Sequence, residues 1–188
     1  MTIYFTHIDS VFSRALANLF ESGGDTVTTD PAASADFFID TTDYRDPDDC
    51  RALGEGVDGE AIFRAFRADV TEPLALLEKV LPNMTGKKRI CFLTTRDASI
   101  NQSTAVSGFG RNMAKAALHQ VLTITKNGLR DKGFTFRLFD PMDGEIPPEK
   151  AAATAYGYFL RDRFEEGPGR DDEKNLIIRD ALGREIPW

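Results

Sequence analysis

Cysteine and histidine are nearly missing from this chain. It has 2 of each in 188 residues: Cys50, Cys91, His7 and His119, with no CxxC pair and no histidine cluster near either cysteine. That pattern excludes a disulfide framework and a Cys/His zinc site, so no metal is expected, and it fits a reduced, cytoplasmic protein. Neither histidine has a serine or cysteine partner recognisable by spacing, so no hydrolytic triad is read. Positive charge is short as well: 23 Lys and Arg against 30 Asp and Glu leave a formal charge of −7. A chain of that sign has no electrostatic footprint for nucleic acid or an anionic membrane, and neither is an expected partner. Nor does any apolar run approach the roughly 20 residues that cross a bilayer. The first residues, MTIYFTHIDS, hold neither a basic segment nor an apolar signal core. What remains is 41% hydrophobic and 28% charged, too apolar for a disordered chain and long enough for one core. A single domain over residues 1–188 is expected.

Along the chain, strand-like and helix-like patterns alternate. Ile3-Tyr4-Phe5 reads as a strand, and Val11, Phe12, Ala15, Leu16, Leu19 and Phe20 then recur at helical spacing, capped by Asp9 or Ser10 and closed by Gly23-Gly24. Residues 26–29 and 37–39 read as the next two strands. Residues 43–59 follow as a charged, glycine-bearing loop that reads as a solvated connection. Apolar positions from Ile62 to Leu81 predict one long helix, kinked at Pro73 or broken there into two. Residues 89–93 read as a buried strand, 111–129 as a helix closed by Asn127-Gly128, 134–139 as a strand with core phenylalanines, 148–160 as a helix and 175–178 as a last strand. This is the pattern of βαβ units: an α/β, doubly wound parallel sheet of about six strands with helices on both faces.

The stretch Phe109-Gly-Arg-Asn-Met-Ala-Lys115-Ala-Ala-Leu118 lies between a strand ending in Thr94-Thr95 and one ending in Asp140-Pro141. With residues 69–95 before it and Gly183-Arg-Glu-Ile-Pro-Trp188 at the end, it resembles the short-chain dehydrogenase/reductase family over nearly the whole chain. The resemblance implies a Rossmann-like fold. Relative to the family, only residues 30–35 separate strand two from the strand at 36–39, so one strand-helix unit on the adenosine side of the cofactor site is absent.

The resemblance also implies a catalytic tetrad of tyrosine, lysine, serine and asparagine. Carried over by position, Lys115 is retained, the tyrosine falls on Arg111, the asparagine on Asp69, and the serine on Thr95, with Ser99 as a second candidate. An arginine carries donors only and stays protonated, so it cannot exchange the proton a tyrosine would. Lys115 reads either as a retained catalytic lysine or as a surface lysine. Arg111 and Asp69 read as a salt bridge between two helices in place of the lost contacts. Tyr44, on the loop, is the one other phenol near the crevice.

On the cofactor side, the family's glycine-rich turn corresponds to Thr6-His7-Ile8-Asp9-Ser10-Val11-Phe12-Ser13, which has no glycine. Side chains stand in the phosphate path, since each glycine of such a turn removes a Cβ from it. Asp9, Asp40 and Asp43 add negative charge, Met142 replaces the glycine after Pro141, and Asp30 reads as a turn initiator rather than a ribose ligand. The sequence therefore reads as a degenerate relative that has lost NAD(P) hydride transfer, binds no cofactor and acts as a binding or partner subunit. The family's mode of association implies a homo- or hetero-oligomer through the helices near 60–81 and 111–129. The alternative is an NAD(P)-dependent oxidoreductase, or another enzyme, reusing the pocket with Arg111 and Lys115 as an anion site at its mouth.

Overall fold

The computed structural model describes residues 1–161 and 175–188. Seven strands form one sheet: β1 (Thr2–Phe5), β2 (Thr26–Thr28), β3 (Ala35–Asp40), β4 (Met84–Leu93), β5 (Thr135–Asp140), β6 (Ile178–Asp180) and β7 (Glu185–Ile186). Their order is β2-β1-β3-β4-β5-β6-β7. Neighbours are parallel except β6 and β7, where Ile178 faces Ile186 in an antiparallel pair. The sheet is thus one strand wider than the six read from the sequence. β7 has only two residues, too few to show a period of two, and β6 begins where residues 175–178 were read to end.

Helices cover both faces. α1 (Val11–Ser22) and α5 (Pro148–Leu160) pack on one side, burying Phe12, Leu16, Phe20 and Phe159 against Phe5, Phe37 and Phe139. α2 (Gly59–Phe66), α3 (Glu72–Val80) and α4 (Phe109–Leu129) cover the other, where Leu77, Val80, Ala114, Leu118 and Leu122 meet Phe38, Ile90, Phe92 and Phe136. Each fully buried large side chain contributes about 1.5–3 kcal/mol. The aromatic contacts between strands and helices, such as Phe20 on Phe5 at 6.2 Å between ring centres, orient the layers.

Two departures have clear causes. The helix expected across 60–81 is interrupted by a π-helical turn, Arg67–Thr71, ahead of Pro73 at the start of α3. Proline has no N–H to donate, and its ring displaces the carbonyl four residues earlier, so the ladder widens for one turn before restarting. α4 runs through Gly128, and the chain turns only at Gly133, in a left-handed conformation with φ 80, after a short 3-10 segment. A glycine in a helix costs about 1 kcal/mol against alanine, an amount that packing overrides.

The shortened edge is present. Residues 29–34 connect β2 to β3 without a helix, and β2 is the outer strand of the sheet. Asp30 opens that connection: its carboxylate accepts the N–H of Ala32 at 2.9 Å and its carbonyl that of Ala33 at 3.1 Å. Among the described residues, no helix is long and apolar enough to cross a membrane.

Candidate functional site

In a sheet of this kind ligands lie beyond the carboxyl ends of the parallel strands. Here the ends of β1, β3, β4 and β5 and the start of α1 bound an open crevice of about 480 Å³, lined in part by His7, Val11, Phe12, Tyr44, Leu93 and Ile146. Val11 and Phe12 form its wall and do not fill it, and Met142 lies in the α1/α5 core instead. Met142 keeps a left-handed backbone, φ 54, at the place of the family's glycine. Asp140 holds this turn by accepting the Met142 N–H at 2.8 Å, against the roughly 1–2 kcal/mol that a Cβ costs there.

The start of α1 is closed by its own side chains. Ser10 accepts the N–H of Ser13, and Ser13 accepts that of Ser10, a reciprocal capping box. Among the described residues, the crevice lining contributes four carboxylates, Asp9, Asp43, Glu72 and Asp143, and no lysine or arginine. Asp40, read from the sequence as facing the crevice, is instead fully buried beneath it. Its Oδ1 accepts the hydroxyls of Thr6 and Thr42, both at 2.8 Å, and burial pushes its carboxyl above the usual range against the pull of Lys115 and the two threonines. A pyrophosphate would meet side chains where glycine turns expose N–H groups, and carboxylates where it needs cations. The residues present do not fit a dinucleotide held in the family's manner.

Behind the Thr42 and Leu93 edge of the crevice, on the other face of the sheet, stands α4. Its Lys115 is neither a surface lysine nor at the mouth of the crevice: its side chain is completely buried. Its ammonium contacts Asp69 Oδ1 at 2.9 Å, the Thr42 carbonyl at 2.6 Å and the Leu93 carbonyl at 3.3 Å. Three acceptors match the three donors of an ammonium. Asp69 sits in the π-helical turn, where it also accepts the Tyr44 N–H at 3.2 Å. Burial raises its carboxyl, with Lys115 opposing. The salt bridge read between Arg111 and Asp69 does not form, because Lys115 takes Asp69. Arg111 instead places Nε 2.7 Å from Asp43 Oδ1. Burial alone would raise the Asp43 carboxyl, but the hydrogen bond and charge of Arg111, with Lys115 and Arg45 nearby, hold it below the usual range.

The loop of residues 43–59 is docked rather than merely solvated, and its carboxylates are the means. Asp43 takes Arg111, Asp46 takes Arg64 at 2.6 Å and the Tyr44 hydroxyl at 3.0 Å, and Asp49 accepts the N–H groups of Gly110 and Arg111, each at 2.9 Å. The last pair caps α4, whose own preceding residue, Gly108, has no side chain to do so. Gly110 is required at that point, since a Cβ there would stand 3.0 Å from both Asp49 Oδ2 and Ile62 Cα. Tyr44 does not replace the missing tyrosine: its hydrogen bond to Asp46 raises the phenol's pKa, the wrong direction for exchanging a proton near neutrality.

Thr95 and Ser99 part company. Thr95 lies on a second, polar pocket with Arg111, Arg45, Arg96 and Asp140. Ser99 is buried and donates to the Pro187 carbonyl at 2.5 Å, so it anchors the chain's last residues and is not a member of the site. The structure thus joins Lys115 to Asp69, and Arg111 to the pocket of Thr95. The sequence reads Asp43 only as negative charge at the crevice and Asp49 only as part of a solvated loop; an acidic run in a loop gives no sign of which helix it will cap. His119, without a serine or cysteine partner by spacing, has a threonine for one. It is buried, bonded to Thr94 through Nε2 and crossed edge-on by Trp188 at 5.0 Å, and burial, with the Lys115 charge, lowers its pKa to about 4.

No family model matches the chain. Among curated proteins it is similar to C-signal of Myxococcus xanthus, 26% identical over 141 residues that cover 73% of this chain and 84% of that protein. Among solved structures it is similar to a putative short-chain alcohol dehydrogenase from Burkholderia multivorans (TM-score 0.80, 14% identity, covering 100% of this chain and 99% of that one). It is also similar to a carbonyl reductase from Pseudomonas aeruginosa PAO1 in complex with NADP (TM-score 0.78, 14% identity, 100% of each chain). The carbonyl reductase Sniffer of Caenorhabditis elegans superposes with a TM-score of 0.75 at 11% identity, over 100% of this chain and 98% of that one. At these TM-scores the chain has the fold of the short-chain dehydrogenases/reductases.

Proposed function

We propose that this protein is a short-chain-dehydrogenase-like chain that has given up NAD(P)-dependent hydride transfer and works by binding, as one subunit of an oligomer. The observation that carries the proposal is the use of Lys115. In the family's chemistry that lysine lowers the pKa of a tyrosine one helical turn away. Here its ammonium spends its donors on Asp69, Thr42 and Leu93, and the residue one turn away is Arg111. The four carboxylates of the crevice lining argue in the same direction. The crevice is open, so it is available to a ligand of another kind.

The subunit contact runs through the layer of α2, α3 and α4. Phe63 is 70% exposed on α2, and Met113 and Ile124, eleven residues apart and so on one face of α4, are 47% and 63% exposed. Apolar side chains of that size in one helical layer favour a partner layer of the same kind. A second copy of the chain supplies one.

Titration of the purified protein with NADH and NADPH tests the first half; saturation by either in the micromolar range would refute it. Sedimentation tests the second. The chain is expected to self-associate, and Phe63→Glu to shift it toward the monomer; an unaltered chain that stays monomeric at high concentration counts against the interface.

A further inference from the structure

Arg111 uses only part of its guanidinium internally. Nε donates to Asp43, whereas Nη1 and Nη2 make no hydrogen bond to any described residue. Arg111 lines the polar pocket of about 100 Å³ that also holds Thr95. Thr95 Oγ1 accepts the Asp97 N–H at 3.3 Å, which leaves its hydroxyl proton to donate.

The carboxylates around this pocket are mostly engaged. Arg45 Nη2 bridges Asp43 and Asp143 at 3.0 Å each, Arg96 takes Glu145, and Asp140 accepts the N–H groups of Arg96 and Met142, both at 2.8 Å. Asp97 is the one lining carboxylate without such a partner among the described residues, so the pocket opposes a multiply charged anion more than a single charge. The pocket and the crevice share Pro141 and Asp143. The crevice offers apolar wall at Val11, Phe12, Leu93 and Ile146.

We propose that Arg111, assisted by the Thr95 hydroxyl, holds the carboxylate of a monocarboxylic acid whose apolar body lies in the crevice. The open guanidinium edge matches a carboxylate through two parallel N–H donors. This deepens the reading given above and rests on it, since the body of the acid takes space that a dinucleotide would occupy.

The test titrates the full chain with 3-phenylpropionate, with its uncharged amide and with inorganic phosphate, by calorimetry or ligand-observed NMR. The acid is expected to bind at least about tenfold more tightly than the amide or phosphate, and Arg111→Gln to remove that preference while Arg111→Lys keeps part of it. The acid–amide comparison needs no variant, so a folding defect in Arg111→Gln does not blunt it. Equal binding of acid and amide, no binding of the acid at about 10 mM, or an undiminished preference in a folded Arg111→Gln protein overturns the proposal. Adding NADPH separates the two readings. Micromolar NADPH binding that displaces the acid defeats the lost-cofactor reading and leaves the carboxylate site standing; silence of both ligands defeats only the carboxylate site.

Discussion

The α1 and α4 faces of the sheet are built in different ways beside the crevice. On the α1 side, side chains stand where the resemblance implies glycines: Met142 adopts φ 54, where a glycine would be at ease, and an open crevice of about 480 Å³ lies beside them. On the α4 side the lysine that the resemblance implies is present, in surroundings of its own. Lys115 remains, but it is enclosed by Asp69, Thr42 and Leu93. An open crevice lies on one side, and a closed ion pair on the other. A residue type at a position does not by itself set what the residue does; that lies in which acceptors its neighbours present.

The largest effect is expected from the buried pair. Lys115→Met strands Asp69 without a counter-charge, and breaking one member of such a pair costs about 3–5 kcal/mol, read as a lower urea midpoint. A loss below about 1 kcal/mol would mean that Lys115 does not tie α4 to β3 and β4, and the contrast between the two sides would collapse.

The next is a pH dependence. The folded pKa of His119 is about 4 against an ordinary 6.5, so between these values the unfolded chain takes up the proton and the fold does not. The stability contributed by His119 is whole above pH 6.5 and is lost as pH falls toward 4, on the order of 3 kcal/mol. Asp40, Asp69 and Asp140, whose carboxyls are raised, act in the opposite sense: their contribution is present at low pH and lost as pH rises through their folded values. The measurement is therefore a difference. Melting curves of the parent and His119→Gln across this range should converge at acid pH, and parallel curves would place the acid sensitivity elsewhere.

The smallest effect sharpens the role of the loop. Asp49→Ala removes the cap of α4 and should cost about 1 kcal/mol, within the range for helix caps, with faster amide exchange at Gly110 and Arg111. Unchanged exchange there would show that the loop follows α4 rather than holding it.

Much of the fold was legible because period and punctuation repeat along many residues: the alternation of strands and helices, the short link after β2, and both helical faces. β7 was not, being only two residues long. The π-helical turn was half legible, since Pro73 announces a break but not that the ladder widens before it. The site divided likewise. Arg111, Lys115, Asp69 and Thr95 are singled out by position, yet their pairing is not, because Lys115 and Asp69, 46 residues apart in sequence, meet only when their segments pack. The loop carboxylates were legible as charge and illegible as caps, since a cap is defined by the N–H groups it faces, and those belong to another segment.

The π-helical turn at Arg67–Thr71 has a geometric consequence of its own. It accommodates about one residue more than an α-helical ladder would, and one residue is a rotation of about 100°. Everything upstream in α2 is turned by that step relative to α3. The facet of α2 that nests against Gly110 and the facet that leaves Phe63 outermost are thus set by a phase, in the way a screw thread sets where a mark on its head comes to rest. The same extra residue that brings Asp69 inward to Lys115 fixes which side of the helix the outside world meets.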